Sequence, residues 1–109
     1  AAPTTPDDRL GRIAAASRGF LYAVGLLGVT GERAELAESA MVLAARCKAV
    51  TDLPVLVGVG ISTPEQAVKV CSVADGVVVG SALVRRVLEG ATPEQAGDLV
   101  AELRSALDA

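Results

Sequence analysis

The sequence predicts an α/β fold built on a parallel sheet, and the order of its segments is the first evidence. Helix-like segments alternate with three short apolar runs that are rich in β-branched residues and bounded by Gly or Pro: GFLYAVG (19–25), PVLVGVG (54–60) and GVVVG (76–80). The last two runs are apolar at nearly every position, which indicates strands covered on both faces. Helix, strand, helix, strand, helix, strand, helix is the order of parallel βα units.

Three predicted helices begin with the same device. Thr5-Pro6-Asp7-Asp8, Thr63-Pro64-Glu65-Gln66 and Thr92-Pro93-Glu94-Gln95 each place a threonine before a proline and then acidic or amide residues. We expect the threonine to be the N-cap and the proline to be the first helical residue. A further helix is expected to contain Leu36 to Cys47, and a short extra helix, from Ala82 to about Glu89, precedes the final one.

Composition excludes several classes of function. The net charge is −3 and the basic residues are scattered, so we expect neither a nucleic-acid surface nor a membrane-binding patch. No apolar run is long enough to span a membrane, the first residues do not resemble a signal peptide, and a cytoplasmic location is expected. Histidine is absent, and the isolated Cys47 and Cys71 are predicted to be buried free thiols rather than metal ligands.

The predicted sheet has one face without helices, and this favours a barrel. In a (β/α)8 (TIM) barrel of about 250 residues the second face of each strand lies in the barrel interior. The opening AAPTTPDD resembles a loop that follows a strand. We therefore expect residues 1–109 to be a single segment of a barrel domain, holding about its last three βα units. The alternative is a small complete sheet protein that covers its bare face by self-association.

Two glycine turns follow the last two predicted strands, at the end of a barrel where ligands bind. Backbone N–H groups of Gly60, Ile61, Gly80 and Ser81, the Ser81 hydroxyl and the dipole of the short helix could hold a phosphate. The alternative is that these glycines serve only tight turns or close helix–strand packing.

The remaining ligand-side features are less specific. The loop GLLGVTGER holds three glycines and suits a lid, or an ordinary connector. Tyr22 shares a strand face with Phe20 and Val24, and could line a pocket or belong to the core. Glu32 is the only carboxylate on these loops, since Asp52 and Asp75 precede their strands. We therefore expect no acid–base pair in this segment, and the chemistry must come from elsewhere.

GFLYAVGLLGVTG, PVLVGVGISTPEQ and ADGVVVGSALV, in this order and spacing, resemble the C-terminal half of the tryptophan synthase α subunit family, and APTTPDDRLGRIA resembles the segment after its fifth strand. The resemblance implies a TIM-barrel lyase of tryptophan biosynthesis, which cleaves indole-3-glycerol phosphate to indole and glyceraldehyde 3-phosphate. It also implies an α2β2 complex with a β subunit, to which the pyridoxal phosphate belongs, and no cofactor for this chain.

The resemblance implies roles for single residues as well. By resemblance Gly60, Ile61, Gly80, Ser81 and Gly31 contact the substrate phosphate, Tyr22 lines the pocket near the reacting atoms, and Thr30 is the lid threonine. The catalytic Glu and Asp of the family lie upstream, so no catalytic residue and no activity is expected in this segment alone.

The sequence differs from the family pattern at two positions, and two alternative functions remain. Gly25 stands where the family often has serine, and Val59 replaces a frequent phenylalanine. The alternative functions are another sugar-phosphate barrel, such as an isomerase or epimerase, and a non-catalytic half-barrel that associates with itself.

Overall fold

A computed structural model describes the backbone of residues 1–25, 33–58 and 60–109, and their side chains except those of residues 33–37. Helices and strands alternate in the predicted order, and two helices end the chain. The elements are α1 (Asp7–Ala16), β1 (Leu21–Val24), α2 (Arg33–Lys48), β2 (Val55–Gly58), α3 (Pro64–Val70), β3 (Gly76–Val77), α4 (Ser81–Leu88) and α5 (Pro93–Asp108).

The three strands form one parallel sheet in the order β1-β2-β3, as the sequence predicts. Tyr22 pairs with Leu56, and Leu56 pairs with Gly76. The strands are shorter than the apolar runs. Gly19 has a φ of 83°, a left-handed conformation that does not continue into a strand, so β1 begins only at Leu21.

The two faces of the sheet differ in what covers them. Leu21, Ala23, Val55 and Val57 point to the helices and are at most 2% exposed. They belong to a core whose other members come from the helices and the loop after β2: Leu10, Ala14, Ala40, Leu43, Ala44, Cys47, Ile61, Ala67, Val70, Ala74, Leu99 and Leu103. On the opposite face Tyr22 is 38% exposed. The predicted bare face is therefore present.

The first residue of the chain lies alongside β1. The Ala1 amino group donates to the Tyr22 carbonyl oxygen at 3.0 Å, and the Val24 N–H donates to the Ala1 carbonyl oxygen at 2.8 Å. These two bonds, on either side of Ala23, have the pattern of a parallel ladder. The outer edge of β1 is thus paired at one position by extended chain.

Two of the three predicted helix starts are confirmed. Thr63 and Thr92 are N-caps of α3 and α5, and each forms a capping box with the glutamine three residues later. The prediction for Thr5 is wrong, because α1 begins at Asp7 with Pro6 as its N-cap. The Thr5 hydroxyl instead accepts a hydrogen bond from the Ala2 N–H at 3.0 Å, which closes a turn ahead of the helix.

The short extra helix is confirmed as α4, and it begins one residue earlier than predicted, at Ser81. Cys47 is a buried free thiol, as expected, and burial raises its pKa. Cys71, the C-cap of α3, is a free thiol as expected but only half-buried, so its predicted burial is wrong. Within the described part of the chain, no helix is long and apolar enough to cross a membrane.

Candidate functional site

The turn after β2 is fixed at both of its ends. Gly60 has a φ of 83°, a conformation that favours glycine, and it lies two residues beyond the end of the strand. Ile61, the next residue, is 7% exposed and anchors the turn in the core. At the other end of the turn, Thr63 caps α3. The backbone between these points therefore has little freedom.

Gln66 divides the four amides of this turn into two pairs. Its side-chain Oε1 accepts hydrogen bonds from the Ser62 N–H at 2.8 Å, the Thr63 N–H at 3.1 Å and the Ser62 hydroxyl at 3.2 Å. No described residue accepts a hydrogen bond from the N–H groups of Gly60 and Ile61. The pair without a described acceptor is the pair that the resemblance assigns to phosphate.

The second glycine turn leads directly into α4. Gly80 is the N-cap of this helix, and its carbonyl oxygen accepts the first helical hydrogen bond, from the Val84 N–H at 3.0 Å. The N–H groups of the first helical turn, including that of Ser81, have no helical acceptor. A Cβ at Gly80 would meet no described atom within 4 Å, and its φ of −120° does not require glycine. The described part of the fold therefore gives no reason for glycine at position 80.

These two turns follow neighbouring strands. β2 ends at Gly58 and β3 at Val77, and the two strands are paired in parallel. The carboxyl ends of parallel strands meet at one edge of a sheet, which is where ligands bind in α/β folds. The turns of Gly60–Ile61 and Gly80–Ser81 thus both start from this edge.

Tyr22 lies on the bare face next to the end of β2. A Cβ built on Gly58 would be 2.0 Å from the Tyr22 hydroxyl oxygen and 2.7 Å from its Cζ. Gly58 is therefore required for the close approach of this ring, which explains one of the glycines by packing rather than by ligand contact. Tyr22 is 38% exposed, so it belongs to the surface of the bare face and not to the core.

The opposite end of the sheet carries the carboxylate that was expected there. Asp75, just before β3, accepts hydrogen bonds from the Lys48 ammonium at 2.7 Å and from the Val55 N–H at 2.8 Å. These two donors hold the pKa of Asp75 below its ordinary value. The role of Asp75 is to join the amino ends of β2 and β3 to the end of α2.

Several predicted features lie outside the described residues. They are the lid residues Thr30 and Gly31, the carboxylate Glu32 and the substituted position Val59. Among the residues that the structure does describe, no three His, Cys, Asp or Glu side chains lie together as metal ligands would.

Sequence reasoning missed the part played by Gln66, which it treated only as a first-turn residue. A signal was present, because the sequence Thr-Pro-Glu-Gln-Ala occurs twice, after Ser62 and after Ala91. Only the first copy follows a residue with a hydroxyl group, and only there does the glutamine also bind the residue before the cap.

The parallel order, the bare inner face and the glycine turns at one sheet edge define the class of the protein: the chain is part of a (β/α)8 barrel. Its sequence matches the family model described as "Tryptophan synthase alpha chain" over residues 1–108. This chain belongs to the tryptophan synthase alpha chain family.

Individual relatives agree with this assignment. The chain is 52% identical to a tryptophan synthase alpha chain of Streptomyces avermitilis over 96 residues, which cover 88% of this chain and 34% of that one. It is 45% identical to the alpha chain of Thermobifida fusca over 115 residues, covering 99% of this chain and 43% of the relative.

A solved tryptophan synthase structure of Mycobacterium tuberculosis superposes with a TM-score of 0.83 at 42% identity, covering 98% of this chain and 40% of that one. The alpha subunit of Campylobacter jejuni gives a TM-score of 0.75 at 25% identity, covering 94% of this chain and 41% of that one. The chain therefore spans about a third to two fifths of the length of its relatives.

Proposed function

We propose that this chain works as part of a tryptophan synthase α-type lyase, which cleaves indole-3-glycerol phosphate to indole and glyceraldehyde 3-phosphate. Within that enzyme it supplies the phosphate-binding end of the barrel and the lid. The observation that carries the proposal is the pair of amides at Gly60 and Ile61, which have no described acceptor and follow the strand that pairs with β3, the strand ahead of α4. Membership of the tryptophan synthase alpha chain family supports this substrate.

The substrate phosphate would be held mainly by the backbone. Amides of Gly60, Ile61, Gly80 and Ser81 and the Ser81 hydroxyl are the donors, and the positive end of the α4 dipole adds to their attraction for a dianion. Gly31 would add a contact from the lid, and Thr30 would reach a catalytic carboxylate when the lid closes. Tyr22 would line the pocket on the bare face, below the turn of Gly60.

We also propose that residues outside this chain carry out the proton transfer. The described carboxylate with a lowered pKa, Asp75, lies at the amino end of the strands and is engaged by Lys48 and Val55. A general acid or base must reach the reacting atoms, and those bind at the carboxyl ends. By resemblance to the family, the catalytic glutamate and aspartate are assigned to the upstream part of the barrel, and the position of Asp75 agrees with this assignment.

Partner, cofactor and location complete the proposal. The α subunit would pass indole to a β subunit in an α2β2 complex, and the pyridoxal phosphate would belong to that partner. No cofactor is assigned to this chain. A cytoplasmic location is consistent with the free thiols of Cys47 and Cys71, since reducing compartments keep cysteines unpaired.

A chimera tests the proposed function. The upstream three fifths of the Thermobifida fusca alpha chain would be fused before Ala1 of this chain, and indole release from indole-3-glycerol phosphate would be measured. We expect turnover by the chimera and none by the 109-residue chain alone. In the chimera, Ser81→Asp should raise KM at least about tenfold, because it places a negative charge beside the phosphate.

The matched control for this variant is Ser105→Asp, an exposed position on α5. It adds the same charge far along the final helix, and its KM should equal that of the unmodified chimera. Turnover by the chain alone, or a folded chimera without activity, would contradict the proposal.

A further inference from the structure

We infer that Gln66 is a positioning residue for the anion-binding turn, which it holds through the amides it occupies rather than by contact with the ligand. This inference rests on the proposed function, since it concerns the same site. It starts from the division of the turn described above: Gln66 accepts from Ser62 and Thr63, and the amides of Gly60 and Ile61 remain for a ligand.

Gln66 can position the turn because neighbouring N–H groups compete for the same acceptor. Consecutive N–H groups that lack acceptors leave a turn with several alternative arrangements, each exposing a different pair. Gln66 is half-buried, and its Oε1 binds two of the four amides, which removes most of these arrangements. A turn held in its binding geometry before the ligand arrives loses less entropy on binding, which raises its affinity.

The same chain contains a natural comparison for this role. Gln95 forms the same capping box with Thr92, where its Oε1 accepts from the Thr92 N–H at 2.9 Å. There the preceding amide, that of Ala91, donates to the Arg86 carbonyl oxygen at 2.9 Å instead of to the glutamine. Gln95 is exposed, and Gln66 is half-buried. Gln95 thus caps a helix and does nothing to a preceding turn.

The test compares Gln66→Ala with Gln95→Ala in the ¹⁵N-labelled chimera described above. Inorganic phosphate is titrated while the amide resonances of Gly60, Ile61, Gly80 and Ser81 are followed. Both variants lose one capping box, so both should lose similar stability. We expect Gln66→Ala to raise the phosphate Kd about fivefold, and Gln95→Ala to leave it within about 1.5-fold of the original value.

Hydrogen exchange gives a second measurement that does not use phosphate. In Gln66→Ala the amides of Ser62 and Thr63 should exchange about tenfold faster, relative to the global rate, than in the unmodified chimera. Gln66→Glu keeps an acceptor at this capping-box position and should restore their protection. A merely structural loss would speed exchange throughout the chain and would not be reversed at these two amides.

Each outcome decides something different. A phosphate Kd that changes equally in Gln66→Ala and Gln95→Ala would overturn the inference and leave the proposed site intact. An unmodified chimera whose four amide resonances do not respond to phosphate would overturn the proposed anion site, and the inference with it. Weaker binding in Gln66→Ala alone, with faster exchange at Ser62 and Thr63, would support both.

Discussion

At the scale of single residues, the contact between Tyr22 and Gly58 links the bare face to the candidate site. The phenol lies so close to the Gly58 Cα that a single added methyl group would overlap it. The identity of residue 58 therefore decides where the only tyrosine of the chain can lie.

Gly58→Ala should lower the free energy of unfolding by about 1–3 kcal/mol, because the new methyl group displaces the Tyr22 ring. In a Tyr22→Ala background the cost of the same change should fall by at least about 0.5 kcal/mol. Urea unfolding of the four proteins measures this coupling. Gly97→Ala in α5, where an added Cβ meets no described atom, is the control and should be neutral or stabilising. Equal costs in both backgrounds would contradict the contact.

Asp75 gives a prediction for the dependence of stability on pH. Because its pKa is lowered in the folded chain, its stabilising effect is present above the ordinary carboxyl pKa and is lost as the pH falls through the folded value. Asp75→Asn should cost about 0.5–1 kcal/mol at pH 7, since the ion pair is half-exposed.

Unfolding of the original chain and of Asp75→Asn should be compared at pH 7 and at pH 3. The difference between them should shrink at pH 3, because this pH lies below the ordinary carboxyl pKa, where the unfolded chain binds the proton that the folded carboxylate resists. Lys48→Gln is the control that removes the ion pair but keeps the bond to Val55. If the difference in unfolding free energy grew on acidification, the pKa of Asp75 would be raised in the folded chain and not lowered.

At the scale of elements, local chemistry predicted the helices better than the strands. Thr63 and Thr92 cap their helices as the sequence indicates, because both the threonine and the glutamine of each box are local in sequence. Thr5 differs because a distant residue, Arg46, binds the carbonyl oxygens of Pro3 and Thr5 and the carboxylate of Asp7. No local pattern contains that contact.

The strands show the same limit of sequence reasoning. Apolar runs indicated where strands lie, but not where pairing stops, which depends on the conformation of Gly19 and on the turn at Gly60. For the site, glycine spacing indicated both turns. It could not separate Gly58, which makes room for Tyr22, from Gly80, for which the described fold gives no packing reason. That distinction needs the cross-strand register.

The contributions of the Thr5 and Thr92 side chains to stability can be compared by mutation. Thr92→Ala should cost about 1 kcal/mol, because it leaves the Gln95 N–H without its cap. Thr5→Ala should cost less, since the bond that its hydroxyl accepts among the described residues comes from Ala2, ahead of α1. Thermal unfolding with an additional helix-content measurement tests this order. A larger loss for Thr5→Ala would mean that the cap predicted from the sequence does form.

At the scale of the whole molecule, the most important feature is the bare face of the sheet, which no described helix covers. The two aromatic residues of the chain, Phe20 and Tyr22, are 50% and 38% exposed, whereas the helix-covered face is buried. In a closed barrel this face is the packed interior. The 109-residue chain therefore carries an apolar surface that the structure leaves open to solvent.

The isolated chain should bind the apolar dye 1-anilinonaphthalene-8-sulfonate while keeping its helical circular dichroism, because dye binding reports exposed apolar surface. Tyr22→Ser should reduce the dye fluorescence, since it removes the exposed aromatic ring of this face. Val68→Ser, at an exposed valine of α3, is the control and should change it little. The absence of dye binding by the folded chain would contradict an open face.

The Arg46 contacts also affect the order in which the parts of the chain can fold during synthesis. The residues ahead of α1 take their final position against a side chain that follows some 40 residues later. A ribosome adds about 5–20 residues each second, so several seconds pass between the synthesis of the residues ahead of α1 and that of Arg46. During that interval α1 has Asp7 and Asp8 in its first turn but lacks the contacts of Arg46 with the segment ahead of it. The packing of α1 against α2 is therefore a late event, set by the time at which α2 is completed.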